Sequence, residues 1–351
     1  MKVEIFGLEL DKLTEEFKRV GFPTFRAKQV FQWLYQKAVF DFSQMRNISK
    51  GDMEKLASNF SILPAKIEVL KELKSQDGIT SKFLLELEDG ATVETVLMHH
   101  DYGYSICVSS QVGCDMHCAF CASGLLGCVR SLTKAEILAQ IYICNNRLKD
   151  EDAKVTRIVV MGSGEPMLNF DNVFDALDFL HREDTANMSY RNMTVSTCGV
   201  VPGIKRMVEL NHPINLAISL HAVREELRTE LMPVNKAYSF VKVMAAAEEY
   251  AKVTGRDITY EYILIKNKND SQEDAKLLAN FLKFKHASVN IIPANPVPEH
   301  GWERPGTMRI DKFLTVLNNN HINATLRKEM GTDINAACGQ LRNNYLKGKM
   351  L

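Results

Sequence analysis

From residue 104 onward the chain repeats one rhythm: a short apolar run of strand type, then a longer stretch at helical spacing. The runs fall at 104–110, 155–161, 193–197, 214–219, 259–265 and 288–293, with helical stretches at 133–147, 172–181, 240–254 and 272–284 among those between them. Asp171 has the chemistry of an N-cap, and so does Ser271 with Asp274 three residues on. Regular alternation of strand and helix implies a parallel sheet. The fold class is therefore α/β. Six such units, with candidate ligand residues at the strand C-termini, predict a partial, six-stranded β/α barrel rather than a closed eight-stranded one.

Two different regions precede the barrel. Within residues 17–50, seven basic residues face a single acid, a local charge of +6, and eight aromatics interleave with them. Val30, Phe31, Leu34 and Ala38 fall at helical spacing, so residues 1–62 read as a small helical domain. Its aromatics fit either a hydrophobic core or, together with the cations, an RNA-binding accessory surface. Residues 63–99 change to period-two alternation (Phe83, Leu85, Leu87) punctuated by Asp77-Gly78 and Asp89-Gly90, the pattern of an antiparallel β connector. Residues 100–351 hold the barrel and a C-terminal segment.

Composition bounds the rest. With 46% hydrophobic and 25% charged residues, the chain of 351 is neither disordered nor collagenous. No apolar run approaches the roughly 18 residues that span a bilayer, and the polar start is not a signal peptide. A cytoplasmic setting with reduced thiols is expected, so the spacing of the eight cysteines reads as metal-binding or catalytic.

The strongest local signal is Cys114-Asp-Met-His-Cys118-Ala-Phe-Cys121, a C-x3-C-x2-C loop after the first barrel strand. Three thiolates so close suit three irons of a 4Fe-4S cluster, leaving the fourth iron without a protein ligand. A closed zinc site needs a fourth ligand, which Cys128 or His117 would have to supply; a zinc-containing, non-catalytic RNA-binding protein is the alternative of a different class. A second motif, Met161-Gly162-Ser163-Gly164-Glu165-Pro166, ends the second strand, where glycines permit close approach and a carboxylate suits an ammonium group. Ser196, Ser219-Leu220-His221 and Asn295 also fall at strand ends.

With Phe120 before the last cysteine, the loop resembles the radical S-adenosylmethionine (SAM) superfamily, and the glycine segment resembles that superfamily's grip on the SAM amino group. More narrowly, the chain resembles the RlmN/Cfr family of RNA adenine methyltransferases. Phe25-Arg-Ala-Lys-Gln-Val-Phe-Gln-Trp-Leu-Tyr35, Val93-Glu-Thr-Val-Leu-Met98, Ser109-Ser-Gln-Val-Gly-Cys114, Asn290-Ile-Ile-Pro-Ala-Asn-Pro-Val297 and Asp333-Ile-Asn-Ala-Ala-Cys-Gly-Gln-Leu341 carry that resemblance almost end to end.

The resemblance implies a set of roles. Cys114, Cys118 and Cys121 hold the cluster, while Gly164, Glu165, Ser196, Ser219, Leu220, His221 and Asn295 bind SAM. Cys338 carries the methyl group, Cys107 is the second catalytic cysteine, and Glu94 is the proton acceptor. Cys128, Cys144 and Cys198 match no catalytic position. Carbon 2 of adenine is electron-poor and cannot attack an electrophilic methyl group, so the implied chemistry is radical. One SAM methylates Cys338. A second yields a 5′-deoxyadenosyl radical that activates that methyl, which then bonds to the base. Cys107 resolves the resulting protein–RNA crosslink by forming a disulfide.

The implied substrate is 23S rRNA, with tRNA as a further candidate. The implied partner is an electron donor such as flavodoxin or ferredoxin, and the implied state is a monomer. Pro166, Val112 and Arg342 lean toward the RlmN branch and carbon 2; the Cfr branch, modifying carbon 8 and giving antibiotic resistance, is the alternative. Ser163 stands where methionine is usual, and His117 where glycine is usual. The zero net charge averages the +6 segment and a +4 C-terminal region (residues 301–351) against acidic stretches, so phosphate contacts are local.

Overall fold

The computed structural model describes residues 2–62, 68–295, 301–328 and 330–334. Strand β1 (Val3–Glu4) leads into helices α1 (Leu10–Arg19), α2 (Thr24–Tyr35) and α3 (Lys50–Asn59), and β2 (Phe60–Ser61) returns to pair with β1. Strands β3 (Glu68–Lys74), β4 (Thr80–Glu86) and β5 (Thr92–His100) form hairpins through the Asp77-Gly78 and Asp89-Gly90 turns, both glycines having positive φ. Next come β6 (Gly103–Val108), a small hairpin of β7 (Gln111–Gly113) and β8 (Cys128–Ser131), and α4 (Lys134–Leu148). The remaining units are β9 (Val155–Val160), α5 (Phe170–His181), β10 (Met193–Thr197), α6 (Val201–Leu210), β11 (Asn215–Ser219), α7 (Glu225–Leu231), α8 (Phe240–Thr254), β12 (Ile258–Leu264), α9 (Gln272–Leu282), β13 (Ala287–Pro293), α10 (Thr307–Asn319) and β14 (Asn323–Leu326).

One ten-stranded sheet dominates, in the order β14-β13-β12-β11-β10-β9-β6-β5-β4-β3. The strands from β6 to β14 are parallel, and the β3–β5 hairpins continue the same sheet by antiparallel pairing of β5 with β6. Because each parallel strand is added beside the last, crossovers of one hand place every intervening helix on the same side. The other side receives no helix from these crossovers and becomes the interior of an open barrel. Among the described residues the parallel set numbers seven strands, one more than the six expected. The additional strand, β14, is short and mostly exposed at the sheet edge, so it carries no apolar run that its sequence would advertise.

Register divides the sheet into two unlike faces, since paired residues point the same way and successive residues alternate. On the helix side lie Leu97, Ile106, Val108, Ile158, Val160, Val195, Ile218, Tyr260 and Ile291, all in the hydrophobic core. On the interior side lie Lys82, Glu94, Cys107, Val159, Ser196, Ser219, Glu261 and Asn290. A mostly apolar outer face and a polar inner one is the arrangement of a barrel that holds a ligand.

Helix starts follow local chemistry. Thr133 and Glu136 form a reciprocal capping box at α4, and Ser271 with Asp274 does the same at α9. Asp171 is not a cap. The 3-10 turn Pro166–Asn169 runs straight into α5, so the helix begins before Asp171, which instead pairs with Arg206 from α6.

The N-terminal helices are welded to the barrel. Phe31 and Tyr35 of α2 meet Phe179 of α5, and Tyr35 also meets Tyr142 of α4, within one continuous core. Glu9 pairs with both Lys134 and Arg182, and Asn146 donates to the Ala38 carbonyl at 2.7 Å. Most of the domain's aromatics are therefore core: Phe17, Phe22, Phe31, Tyr35 and Phe42 are buried, whereas Phe25 is 57% exposed. Lys18, Arg19, Lys28, Lys37, Arg46 and Lys50 face solvent, but Arg26 is buried against Asp52.

Candidate active site

The sequence between β7 and β8 forms a compact loop carrying Cys114, Cys118 and Cys121. The Cys114 N–H donates to the Gly127 carbonyl at 3.1 Å, and the Asp115 carboxylate accepts from the Cys128 N–H at 2.6 Å. On the other flank, the Ala119 N–H donates to the Leu231 carbonyl of α7 at 2.9 Å, and Trp302 Nε1 donates to the Ala119 carbonyl at 2.6 Å. Phe120 meets the His221 ring edge-on at 4.6 Å between centroids. His117 adopts φ +49°, the left-handed region in which glycine would carry no penalty.

The three thiols are half-buried and act on one another. Burial pushes the Cys114 thiol up to about 12, with the charges of Cys121 and Glu165 adding to it. Cys118 is driven up by burial and then by Cys121 and Cys114, with Arg228 acting in the opposite sense. Among the described residues no three His, Cys, Asp or Glu side chains converge to hold a single metal ion. A crowded trio of thiols that resists ionisation alone fits an iron–sulfur group. Such a group takes one thiolate per iron and supplies the compensating positive charge.

The Gly162–Pro166 segment has a local purpose of its own. A Cβ on Gly162 would lie 2.6 Å from Ser109 Oγ, and one on Gly164 (φ +105°) would lie 2.6 Å from the Cβ of Gln111. The glycines let this turn press on residues 109–111, which lead into the cysteine loop. Ser110 and Gln111 donate their N–H groups to the Ser163 carbonyl at 2.9 and 3.1 Å, and the Glu165 N–H donates to Gln111 Oε1 at 2.9 Å. Gln140 holds the same stretch from α4, accepting from the Ser109 N–H and donating to its carbonyl. Gly164→Ala is expected to destabilise the metal-free protein by about 2–4 kcal/mol, from backbone strain and overpacking together. An unchanged denaturation midpoint would contradict the tight approach.

Glu165 is 3% exposed, and its oxygens accept from the Met167 N–H at 3.0 Å and the Cys198 N–H at 2.8 Å. Burial raises its pKa, while the Cys198 and Met167 hydrogen bonds oppose the rise. His221 is buried and neutral, pushed down to about 3 by burial and then by Arg228; its Nδ1 accepts from the Ile263 N–H at 3.0 Å. Leu220 is buried too. Glu165, Leu220 and His221 thus knit the ends of β9 to β12 together, whereas Ser196 and Ser219 present partly exposed hydroxyls to the interior and Asn295 follows β13, partly exposed.

Cys107 and Glu94 share the interior face. Val96 pairs directly with Cys107, and Glu94 lies two residues along β5 from Val96. Ser109 Oγ donates to the Glu94 carbonyl at 2.8 Å, and Thr95 Oγ1 donates to the Cys107 carbonyl at 2.8 Å. Cys338 lies outside the described residues. The chain leading to it is fastened by Asp333, whose carboxylate accepts from the Gln76 N–H at 2.7 Å, beside the turn that opens β4. Cys144 and Cys198 are buried, and Cys128 pairs with Gly113 in the small hairpin.

Two interior residues carry no motif. Glu261, 5% exposed, sits between Ser219 and Asn290 in the register. Its Oε1 accepts from Asn290 Nδ2 at 3.0 Å, while Oε2 has no hydrogen-bond partner among the described residues. A buried acceptor aimed into the barrel fits a ligand bearing hydroxyl or amino donors, as the ribose and amine of SAM do. Its only sequence signal is an acid at an inward position of an otherwise apolar strand. Arg228 in α7 is fully buried, and nothing in its own stretch of sequence marks it.

A triad of cysteines on a loop at the mouth of an open β/α barrel, beside a glycine turn and a polar interior, defines a radical SAM enzyme. Residues 108–279 match the model of the radical SAM superfamily, and residues 3–62 match the ribosomal RNA large subunit methyltransferase N-terminal domain. A crystal structure of a radical SAM methyltransferase from Sphaerobacter thermophilus superposes with a TM-score of 0.92 at 38% identity, covering 96% of this chain and 98% of that one. A Clostridium botulinum (strain Okra / Type B1) protein named "Probable dual-specificity RNA methyltransferase RlmN" is 46% identical over 97% of this chain and 98% of its own length. A Symbiobacterium thermophilum protein of the same name is 45% identical over 98% of this chain and 92% of its own. The chain belongs to the RlmN family of radical SAM RNA methyltransferases, a family that works with a 4Fe-4S cluster and SAM. The reading as a non-catalytic zinc protein is set aside, because mere binding of zinc is not the activity of this family. Among the described residues no helix is long and apolar enough to cross a membrane.

Proposed function

We propose that this chain methylates carbon 2 of an adenine in 23S rRNA, and of an adenine in tRNA, through a methyl group carried on Cys338. The observation that carries the reading is the shared interior face of Cys107 and Glu94, on the sheet that leads directly into the 114–121 loop. The names of the relatives speak of dual specificity, which supports two classes of RNA substrate. Their whole-length similarity, with Pro166 and Val112, supports carbon 2 over carbon 8.

Cys114, Cys118 and Cys121 would hold the cluster. Gly164, Glu165, Ser196, Ser219, Leu220, His221 and Asn295 would bind SAM, the buried members through backbone groups and by keeping the strand ends in register. When bound, the cluster supplies the electron that splits SAM, of which two molecules are used per turnover. The chain's own residues do the rest. Cys338 holds the methyl as a thioether and, once a hydrogen is taken from that methyl, becomes linked through its carbon to the base. Glu94 accepts the ring proton, and the adduct's unpaired electron would return to the group that supplied it. The Cys107 thiolate attacks the Cys338 sulfur, breaking the sulfur–carbon bond; the released carbon keeps the bonding pair and takes up a proton to become the methyl group, leaving a disulfide that thiols reduce again.

Two features support delivery of Cys338. Asp333 anchors its segment beside β4, and the four residue-to-residue steps from Ile334 to Cys338 reach at most about 14 Å. The exposed cations of residues 1–62, with Phe25, offer phosphates a contact surface, so the domain serves as an accessory RNA-binding unit. An electron donor of flavodoxin or ferredoxin type and a monomeric state complete the reading.

The test is mass spectrometry of rRNA and tRNA from a host lacking its own enzyme and expressing this chain. 2-Methyladenosine in both is the expected product. 8-Methyladenosine without 2-methyladenosine would assign the Cfr-type reaction instead.

A further inference from the structure

Arg228 is 0% exposed, yet its acceptors carry no charge. Nε donates to the Leu220 carbonyl at 3.2 Å, Nη2 to the carbonyls of Cys198 at 2.9 Å and Ser219 at 3.4 Å, and Nη1 to Asn235 Oδ1. Among the described residues it forms no ion pair. Burying a cation without a carboxylate is costly, and a neutral amide would suffice to cross-link carbonyls. The carboxylate that acts on it, Glu225, is exposed and reaches it only through Asn235, so the charge calls for an anion that the protein part alone does not bring into contact.

The surroundings say where that anion sits. Three residues after Arg228, about 4.5 Å along α7, the Leu231 carbonyl accepts the N–H of Ala119, the residue next to Cys118. On the other side, the Cys198 peptide is bracketed: its carbonyl accepts from Arg228 and its N–H donates to Glu165. The guanidinium thus lies between the cysteine loop and the strand ends of β10 and β11. We propose that Arg228 is the fixed counter-charge of the cluster site and raises the reduction potential of a cluster held by Cys114, Cys118 and Cys121. This rests on the reading of that loop as a 4Fe-4S site. Positive charge near a cluster favours its more negative, reduced form, and net charge is one of the levers that set such potentials.

Asn235 allows the charge to be cancelled in place. It accepts from Arg228 and donates to Glu225 Oε1 at 2.8 Å, so Asn235→Asp with Glu225→Gln exchanges a carboxylate and an amide that are already bonded. The experiment is an EPR-monitored redox titration of the reconstituted holoprotein without RNA, with iron content measured alongside. At the wild-type midpoint the double variant is expected to show a tenfold lower ratio of reduced to oxidised cluster, equivalent to about 59 mV for one electron. Arg228→Lys, which keeps the charge, should stay near wild type. Arg228→Met should shift further than the double variant. Should Arg228→Met fail to fold, the double variant decides alone: full iron content with an unshifted potential overturns the proposal. Wild-type protein that takes up no iron overturns the cluster reading itself, a different result.

Discussion

The Cys338→Ala protein is expected to bind as much iron as wild type and to make no methylated adenine, a loss of at least about a thousandfold in turnover. The size of the effect follows from the chemistry. Removing the covalent carrier removes a step rather than weakening one, as with loss of a catalytic nucleophile. On the proposed reading carbon 2 has no alternative route, because an electron-poor ring carbon does not attack an electrophilic methyl group. The cluster loop is held by contacts to Gly127, Leu231 and Trp302, none of which involves Cys338, so iron content should not move. Iron assay together with mass spectrometry of the RNA checks both halves. Measurable product from the variant would show that the methyl travels by another carrier.

Cys107→Ala is expected to fail at the opposite end of the cycle. With the carrier intact and no thiol to attack its sulfur, the carbon bridge between Cys338 and the base persists, and purified protein should carry covalently bound RNA. The adduct would resist denaturation and yield to nuclease, and it would vanish in the Cys107→Ala/Cys338→Ala double variant. Position supports an effect confined to chemistry. Cys107 faces the interior while its β6 neighbours Ile106 and Val108 build the core, so removing a sulfur there costs little packing. A Cys107→Ala protein free of RNA and turning over normally would remove the resolving role.

Much of this is legible in the sequence. The strand and helix rhythm, the two Asp-Gly hairpins and the capping pair Ser271/Asp274 are short-range signals, set by backbone geometry and by hydrogen bonds over three or four residues. The 114–121 loop is legible for the same reason, because its ligands are close in sequence. Other parts were illegible because their partners are distant. Asp171 looks like a cap until Pro166 starts the turn earlier. The β14 strand has no apolar run because, among the described residues, only one side of it is paired. The aromatics of residues 17–50 read equally well as core or surface until Tyr142 and Phe179, more than a hundred residues away, bury Tyr35.

The sequence by itself therefore determined the class of fold, the cluster loop and, through resemblance, the family. Those depend on spacing along the chain, and spacing survives without a structure. Tertiary structure alone decided which face of the sheet is polar, which puts Glu94, Cys107 and Glu261 on one side. It also showed that the glycines of residues 162–164 press on the chain itself, and that Arg228 is buried between strand ends without a carboxylate. These are properties of register, close approach and burial, which arise only when segments far apart in sequence are brought together.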